Sequence, residues 1–163
     1  MKRLVLALLL LSTPAHAFPA RVVSCHDGDT CKAITASGDR ITLRLHVADT
    51  PETPPCFDPQ PYSAQATAFT RRMIVGKVVD VRPVGRSWKR SVADITVQGQ
   101  DVSKALIKAG LAWADIRHTN DPAYLAAQID AQHDERGLWG DPAVSPWDWR
   151  LTHNLCRRGS APR

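Results

Sequence analysis

At 163 residues, with 44% hydrophobic and 23% charged side chains, the chain has the usual size and composition of one domain with one core. It shows no internal repeat, low-complexity tract or second apolar span, so a single soluble domain is expected. The formal charge of +5 at pH 7 is mildly basic, compatible with a polyanionic partner but weak evidence for one.

The first residues read as a leader. Lys2 and Arg3 precede an apolar run from Leu4 to Leu11, and Ala15-His16-Ala17 supplies the small-x-small pattern of a signal-peptidase site. The run is too short for a membrane span, which takes roughly 20 residues. Cleavage after Ala17 is expected, so that residues 1–17 are a signal peptide and the mature chain has no membrane span. The protein would then be exported, to the periplasm or the medium.

Arg21 to Cys25 and Cys31 to Ala36 have β character and flank the turn-forming cluster His26-Asp27-Gly28-Asp29-Thr30. After a second turn at Ser37-Gly38-Asp39, Ile41, Leu43, Leu45 and Val47 alternate with Thr42, Arg44 and His46, the period of a half-buried strand. Five prolines between Asp49 and Pro61 exclude regular structure there. A helix is expected over Tyr62 to Val75, then strands at Lys77 to Arg82 and Ser91 to Val97. Asp101 is placed to cap a helix that Gly110 ends, and Asn120 or Asp121 to start another, with Pro122 in its first turn. The pattern predicts a mainly β, α+β fold: a five-stranded Greek-key barrel of OB type with three α-helices. Pro142 to Arg150 reads as an ordered segment whose tryptophans cover a core edge rather than stack on bases. The domain is drawn over residues 18–150, with a basic tail at 151–163.

Four cysteines in an exported chain favour two disulfides, with three possible connectivities. The preferred pairing is Cys25–Cys31, which brackets a tight turn, and Cys56–Cys156, which ties the end of the chain to the loop after Glu52. A zinc site at Cys25, His26 and Cys31 is the competing reading, and it lacks a second ligand cluster.

Two acidic clusters and two arginines carry the candidate chemistry. Asp27 and Asp29 lie on the first turn, and Asp49 and Glu52 lie where the third strand ends. Carboxylates from two separate segments suit a hard cation that takes oxygen ligands. Arginine forks suit phosphate oxygens. Together these are the parts that phosphodiester cleavage needs. Arg44 and Asp49, five apart, would face opposite sides of a regular strand, so a break near Ala48 is expected.

The order and spacing of Asp27-Gly28-Asp29-Thr30, Arg44-Leu45-His46-Val47-Ala48-Asp49-Thr50-Pro51-Glu52, Tyr62-Ser63-Ala64-Gln65-Ala66, Arg90-Ser91-Val92-Ala93-Asp94-Ile95 and Gly137-Leu138-Trp139 resemble the signature of the staphylococcal nuclease family. Pro146-Trp147-Asp148-Trp149-Arg150 resembles the ending of its bacterial secreted members. The resemblance implies a Ca²⁺-dependent nuclease cutting DNA and/or RNA to 3′-phosphate ends. It assigns Asp29, Asp49 and the Thr50 carbonyl to calcium, Glu52 to the general base, and Arg44 and Arg90 to the phosphate. Asp27 falls beside the metal. Where the family has Asp-x-Tyr-Gly-Arg, this chain has Arg86-Ser87-Trp88-Lys89-Arg90, so Trp88 and Lys89 are candidate substrate contacts and Arg86 is a rival to Arg90. His46 replaces an aliphatic residue and is expected to be a satisfied barrel histidine. A monomer is expected. The alternative reading is a catalytically weak member of the same fold that binds nucleic acid or protein.

Overall fold

The computed structural model describes residues 16–158. Residues 1–15, which hold most of the expected leader, and residues 159–163 lie outside the described part.

Three strands, β1 (Phe18–Cys25), β2 (Thr30–Thr35) and β3 (Arg40–Leu45), form the expected antiparallel meander. A two-residue strand β4 (Ala48–Asp49) and the proline-rich loop lead into α1 (Ser63–Ile74). Two long strands follow, β5 (Val78–Ser87) and β6 (Arg90–Val97), and the two-residue β7 (Gln100–Asp101) folds back to pair antiparallel with the end of β6. The sheet runs β3-β2-β1-β5-β6-β7, and parallel pairing of β3 with β6 closes it into a five-stranded barrel of the OB type. Alternation explains the closure: Val22, Ala33, Leu43, Val81 and Ile95 are all fully buried, while their neighbours along each strand are not. Burying an aliphatic side chain of this size stabilises the fold by about 1.5–3 kcal/mol.

Helix α2 (Val102–Lys108) starts where expected, with the Asp101 carboxylate accepting from the Lys104 amide at 2.8 Å. Strand β8 (Trp113–Ala114) pairs with β4, and α3 (Pro122–His133) follows, its Asp121 side chain accepting from the Ala123 amide. Gly110 ends α2 at φ +68°, and a Cβ there would lie 2.0 Å from the Arg136 carbonyl oxygen, so only glycine fits.

One correction concerns the C-terminal region, the number of helices. Among the described residues there are two helices beyond the three expected, α4 (Pro146–Thr152) and the short α5 (Leu155–Arg158). The ordered segment expected over Pro142 to Arg150 is helical in its second half, with Pro146 in the first turn behind the Ser145 cap, where no amide donor is needed. The boundary drawn at Arg150 therefore falls inside α4. The segment beyond it is fastened to the body, with Cys156 joined to Cys56 and the Leu155 amide donating to the Cys56 carbonyl at 2.8 Å. Both disulfides follow the preferred pairing, which removes the cysteines from any zinc site. The tryptophans of α4 cover the body as expected. Trp149 Nε1 donates to the Asp58 carbonyl at 3.0 Å, and Trp147 packs edge-on against Trp113.

Candidate active site

The first hairpin brings Asp29 to the barrel mouth. Cys25 and Cys31 pair across it, and the Asp27 carboxylate accepts from the amides of Asp29 (3.0 Å) and Thr30 (2.6 Å). Asp27 is thus occupied in shaping the turn. Helix α1 clamps the same turn: Thr70 Oγ1, fully buried, donates to the Gly28 carbonyl at 2.7 Å, and Arg71 donates twice to the Cys25 carbonyl.

Strand β3 ends at Leu45, and the break expected near Ala48 is present. Val47 adopts φ 70°, the Ala48 amide donates to the His46 carbonyl at 2.9 Å, and the chain resumes as β4. This turn re-aims Asp49 toward the face that Arg44 occupies. Arg44 Nη1 donates to Asp29 Oδ1 at 2.9 Å, and its Nη2 donates to Asp49 Oδ1 at 2.7 Å. One guanidinium therefore spans two carboxylates from separate segments, each only 4% exposed at the side chain. The Thr50 amide lies 3.4 Å from Asp29 Oδ2, and a Cβ on Gly28 would come within 2.8 Å of the Thr50 side chain.

The electrostatics follow from this crowding. Burial pushes the Asp29 carboxyl up to about 7 against the downward pull of Arg44, and Asp27 and Asp49 add to the push. Burial opposes the charge on Arg44, but Asp29 and Asp49 more than offset it and hold the guanidinium above its ordinary range. Among the described residues no group of three or more His, Cys, Asp or Glu side chains converges on one point. The carboxylates of Asp29 and Asp49 are hard oxygen donors, a chemistry that fits calcium or magnesium rather than zinc.

Glu52 faces the same cleft, a cavity of about 790 Å³ that Asp29, Arg44, Asp49, Arg90 and Arg150 also line. The Glu52 amide donates to Gln60 Oε1 at 3.0 Å, and Gln60 Nε2 donates to the Val144 carbonyl at 2.7 Å. Burial pushes the Glu52 carboxyl above its ordinary range, against the opposing hydrogen bond and charge of Arg150. Arg90, half-buried, reaches Thr30 Oγ1 at 3.4 Å, and that hydroxyl donates to Asp29 Oδ1 at 2.8 Å. Arg86 also lines the cleft but is exposed. Trp88 and Lys89 stand at the β5–β6 turn outside the cleft lining, with Trp88 94% exposed. His46 is satisfied as expected, with Nδ1 at 2.8 Å from Asp94 Oδ1 and Nε2 at 2.8 Å from the His118 carbonyl.

Arg150 and Gln60 were not singled out from the sequence. Arg150 Nη2 donates to Asp49 Oδ2 at 2.7 Å, and its Nη1 donates to Glu52 Oε1 at 2.5 Å. A separation of about 100 residues hid it. The Cys56–Cys156 pairing, which delivers the Pro-Trp-Asp-Trp-Arg segment beside Glu52, was the available signal.

Residues 42–141 match the family model described as staphylococcal nuclease homologue. The chain belongs to the staphylococcal nuclease family. A Haemophilus influenzae protein described as an uncharacterized endonuclease is 31% identical over 161 residues, covering 94% of this chain and 88% of the relative. An Escherichia coli O157:H7 protein with the same description is 30% identical over 154 residues, covering 91% and 97%. A probable staphylococcal-like nuclease, CAN1, of Oryza sativa subsp. japonica is 29% identical over 110 residues, covering 66% of this chain and 32% of its own length. Within the staphylococcal nuclease family, then, the long matches to the two bacterial relatives extend over almost the whole molecule.

Proposed function

We propose that this member of the staphylococcal nuclease family is an exported, Ca²⁺-dependent nuclease that hydrolyses phosphodiester bonds of DNA and/or RNA and leaves 3′-phosphate ends. The observation that carries the reading is the convergence of Asp29 and Asp49 on one guanidinium, with Glu52 and Arg90 lining the same cleft. The two disulfides suit an oxidising compartment, periplasmic or extracellular.

In this reading Asp29, Asp49 and the Thr50 carbonyl would hold the cation. When bound, calcium neutralises charge on the phosphate and makes a nearby water easier to deprotonate. Glu52 accepts the proton from the attacking water, and its burial makes the carboxylate a stronger base than one in free solution. Attack is in line with the leaving 5′-oxygen. Arg44 and Arg90 donate to the phosphoryl oxygens as negative charge builds on them, and loss of one such donor lowers the rate by about 10²–10³. Arg44 uses two of its five donors on the carboxylates, so it can serve the phosphate while holding the acidic pair.

The test is an assay of purified protein lacking residues 1–17 on single- and double-stranded DNA and RNA, with calcium or with chelator. Cleavage that calcium supports and chelator abolishes is expected. Tight binding of nucleic acid with no cleavage in either condition would favour the binding module instead.

A further inference from the structure

Asp49 is held from two sides. Arg44 reaches its Oδ1 from β3, and Arg150 reaches both its oxygens from α4, at 2.7 Å (Nη2 to Oδ2) and 3.2 Å (Nη1 to Oδ1). The same Arg150 Nη1 donates to Glu52 Oε1, so a single planar fork bridges a carboxylate of the proposed cation site and the proposed base. An arginine fork can fix the relative placement of two carboxylates in a way that an ammonium cannot.

The mount for this arginine is substantial. The loop carrying Glu52 and the segment carrying Arg150 are joined by Trp149 Nε1 to the Asp58 carbonyl, Gln60 Nε2 to the Val144 carbonyl, and the Leu155 amide to the Cys56 carbonyl. The Cys56–Cys156 disulfide locks the same two segments together. These four fastenings hold the loop of Glu52 against the segment that carries Arg150. An exposed surface pair would be worth little by itself, whereas here the Glu52 side chain is 17% exposed and that of Asp49 4%.

We propose that Arg150 is a positioning residue: it sets the Glu52 carboxylate against Asp49, and the C-terminal segment with its disulfide exists to deliver it. This rests on the reading of Glu52 as the proton acceptor. Arg150 acts through Glu52, so its effect disappears when Glu52 can no longer accept a proton.

The experiment is a double-mutant cycle of Arg150→Ala and Glu52→Gln, with kcat and KM measured separately on one DNA substrate. Arg150→Ala alone is expected to lower kcat by about 30- to 100-fold, as misplacement of a reacting group by about 1 Å does, with KM within about threefold. The double variant is expected to be no slower than Glu52→Gln alone. Arg150→Lys, which keeps the charge and most of the bulk, is expected to lose nearly as much kcat as the alanine variant. Calorimetric titration with calcium, without substrate, supplies a readout independent of turnover. Removing a positive charge from Asp49 is expected to tighten calcium binding at least about threefold. Fully additive losses in the cycle, wild-type kcat in Arg150→Lys, or unchanged or weaker calcium binding in Arg150→Ala would each overturn the proposal and leave the nuclease reading intact. Full activity of Glu52→Gln would instead remove the base assignment on which it stands.

Discussion

The close approach of the two acidic segments can be tested at Gly28, the residue that permits it. A methyl group there would meet three Thr50 side-chain atoms at 2.8–2.9 Å, against the 3.4 Å at which ordinary contact begins. Thr50 is 3% exposed and its clashing atoms include Cβ, so no rotamer change relieves the contact. The turn cannot swing freely away either, because Thr70 and Arg71 of α1 hold the carbonyls of Gly28 and Cys25. Gly28→Ala must therefore open the gap between Asp29 and Asp49 by about 0.6 Å, an overpacking that costs about 1–3 kcal/mol. For a domain of this size that lowers Tm by about 3–10 °C. The same displacement at a reacting centre lowers kcat by about tenfold, scaled from the hundredfold typical of 1 Å. Scanning calorimetry and calcium-dependent turnover measure the two effects. Gly85→Ala, where an added methyl meets nothing within 4 Å, is the control for unfolding. If Gly28→Ala unfolds at the wild-type temperature and turns over at the wild-type rate, the two segments are not wedged together and the geometric case for a shared cation fails.

Other outcomes follow from the same structure. Arg90→Ala is expected to lose about 10²–10³ in kcat and Arg86→Ala less than tenfold, measured side by side on DNA; the reverse order would reassign the second phosphate arginine. Replacing Cys56 and Cys156 by serine opens a link with a sequence separation of 100, worth about 4.7 kcal/mol in the chain-entropy model, so the urea midpoint should fall steeply. A midpoint unchanged from wild type would show that the bond adds no stability. Gly110→Ala combines a φ of +68° with a Cβ 2.0 Å from the Arg136 carbonyl oxygen, and is expected to destabilise by about 3 kcal/mol in chemical denaturation. In the absence of calcium, the Asp29 carboxyl at about 7 binds a proton more readily folded than unfolded, so its contribution to stability declines as pH rises from about 4 to 7. Asp29→Asn should flatten that part of the pH–stability profile, and a profile equally steep in the variant would count against the cause.

Much of this was legible in the chain itself. Alternation in Ile41, Leu43 and Leu45 fixed the side of β3 that faces the core, and Asp101 and Asp121 marked their helix starts by the chemistry of capping. Even the break after Leu45 followed from spacing, since Arg44 and Asp49 could share a face only if the strand bent. These are local properties, set by side-chain period and by which backbone amides lack partners. What the chain alone left undecided was distance across the fold. The family resemblance separated Asp29 from Asp27, but the physical reason is tertiary: Asp27 is used up by the amides of its own turn, while Asp29 meets Arg44. Arg150 carried no local sign of a role, because its partners lie 101 and 98 residues away and are brought to it by packing and a disulfide. Periodicity and caps act over a few residues, whereas a charge finds its partner through the closed barrel, and only the tertiary structure decided that.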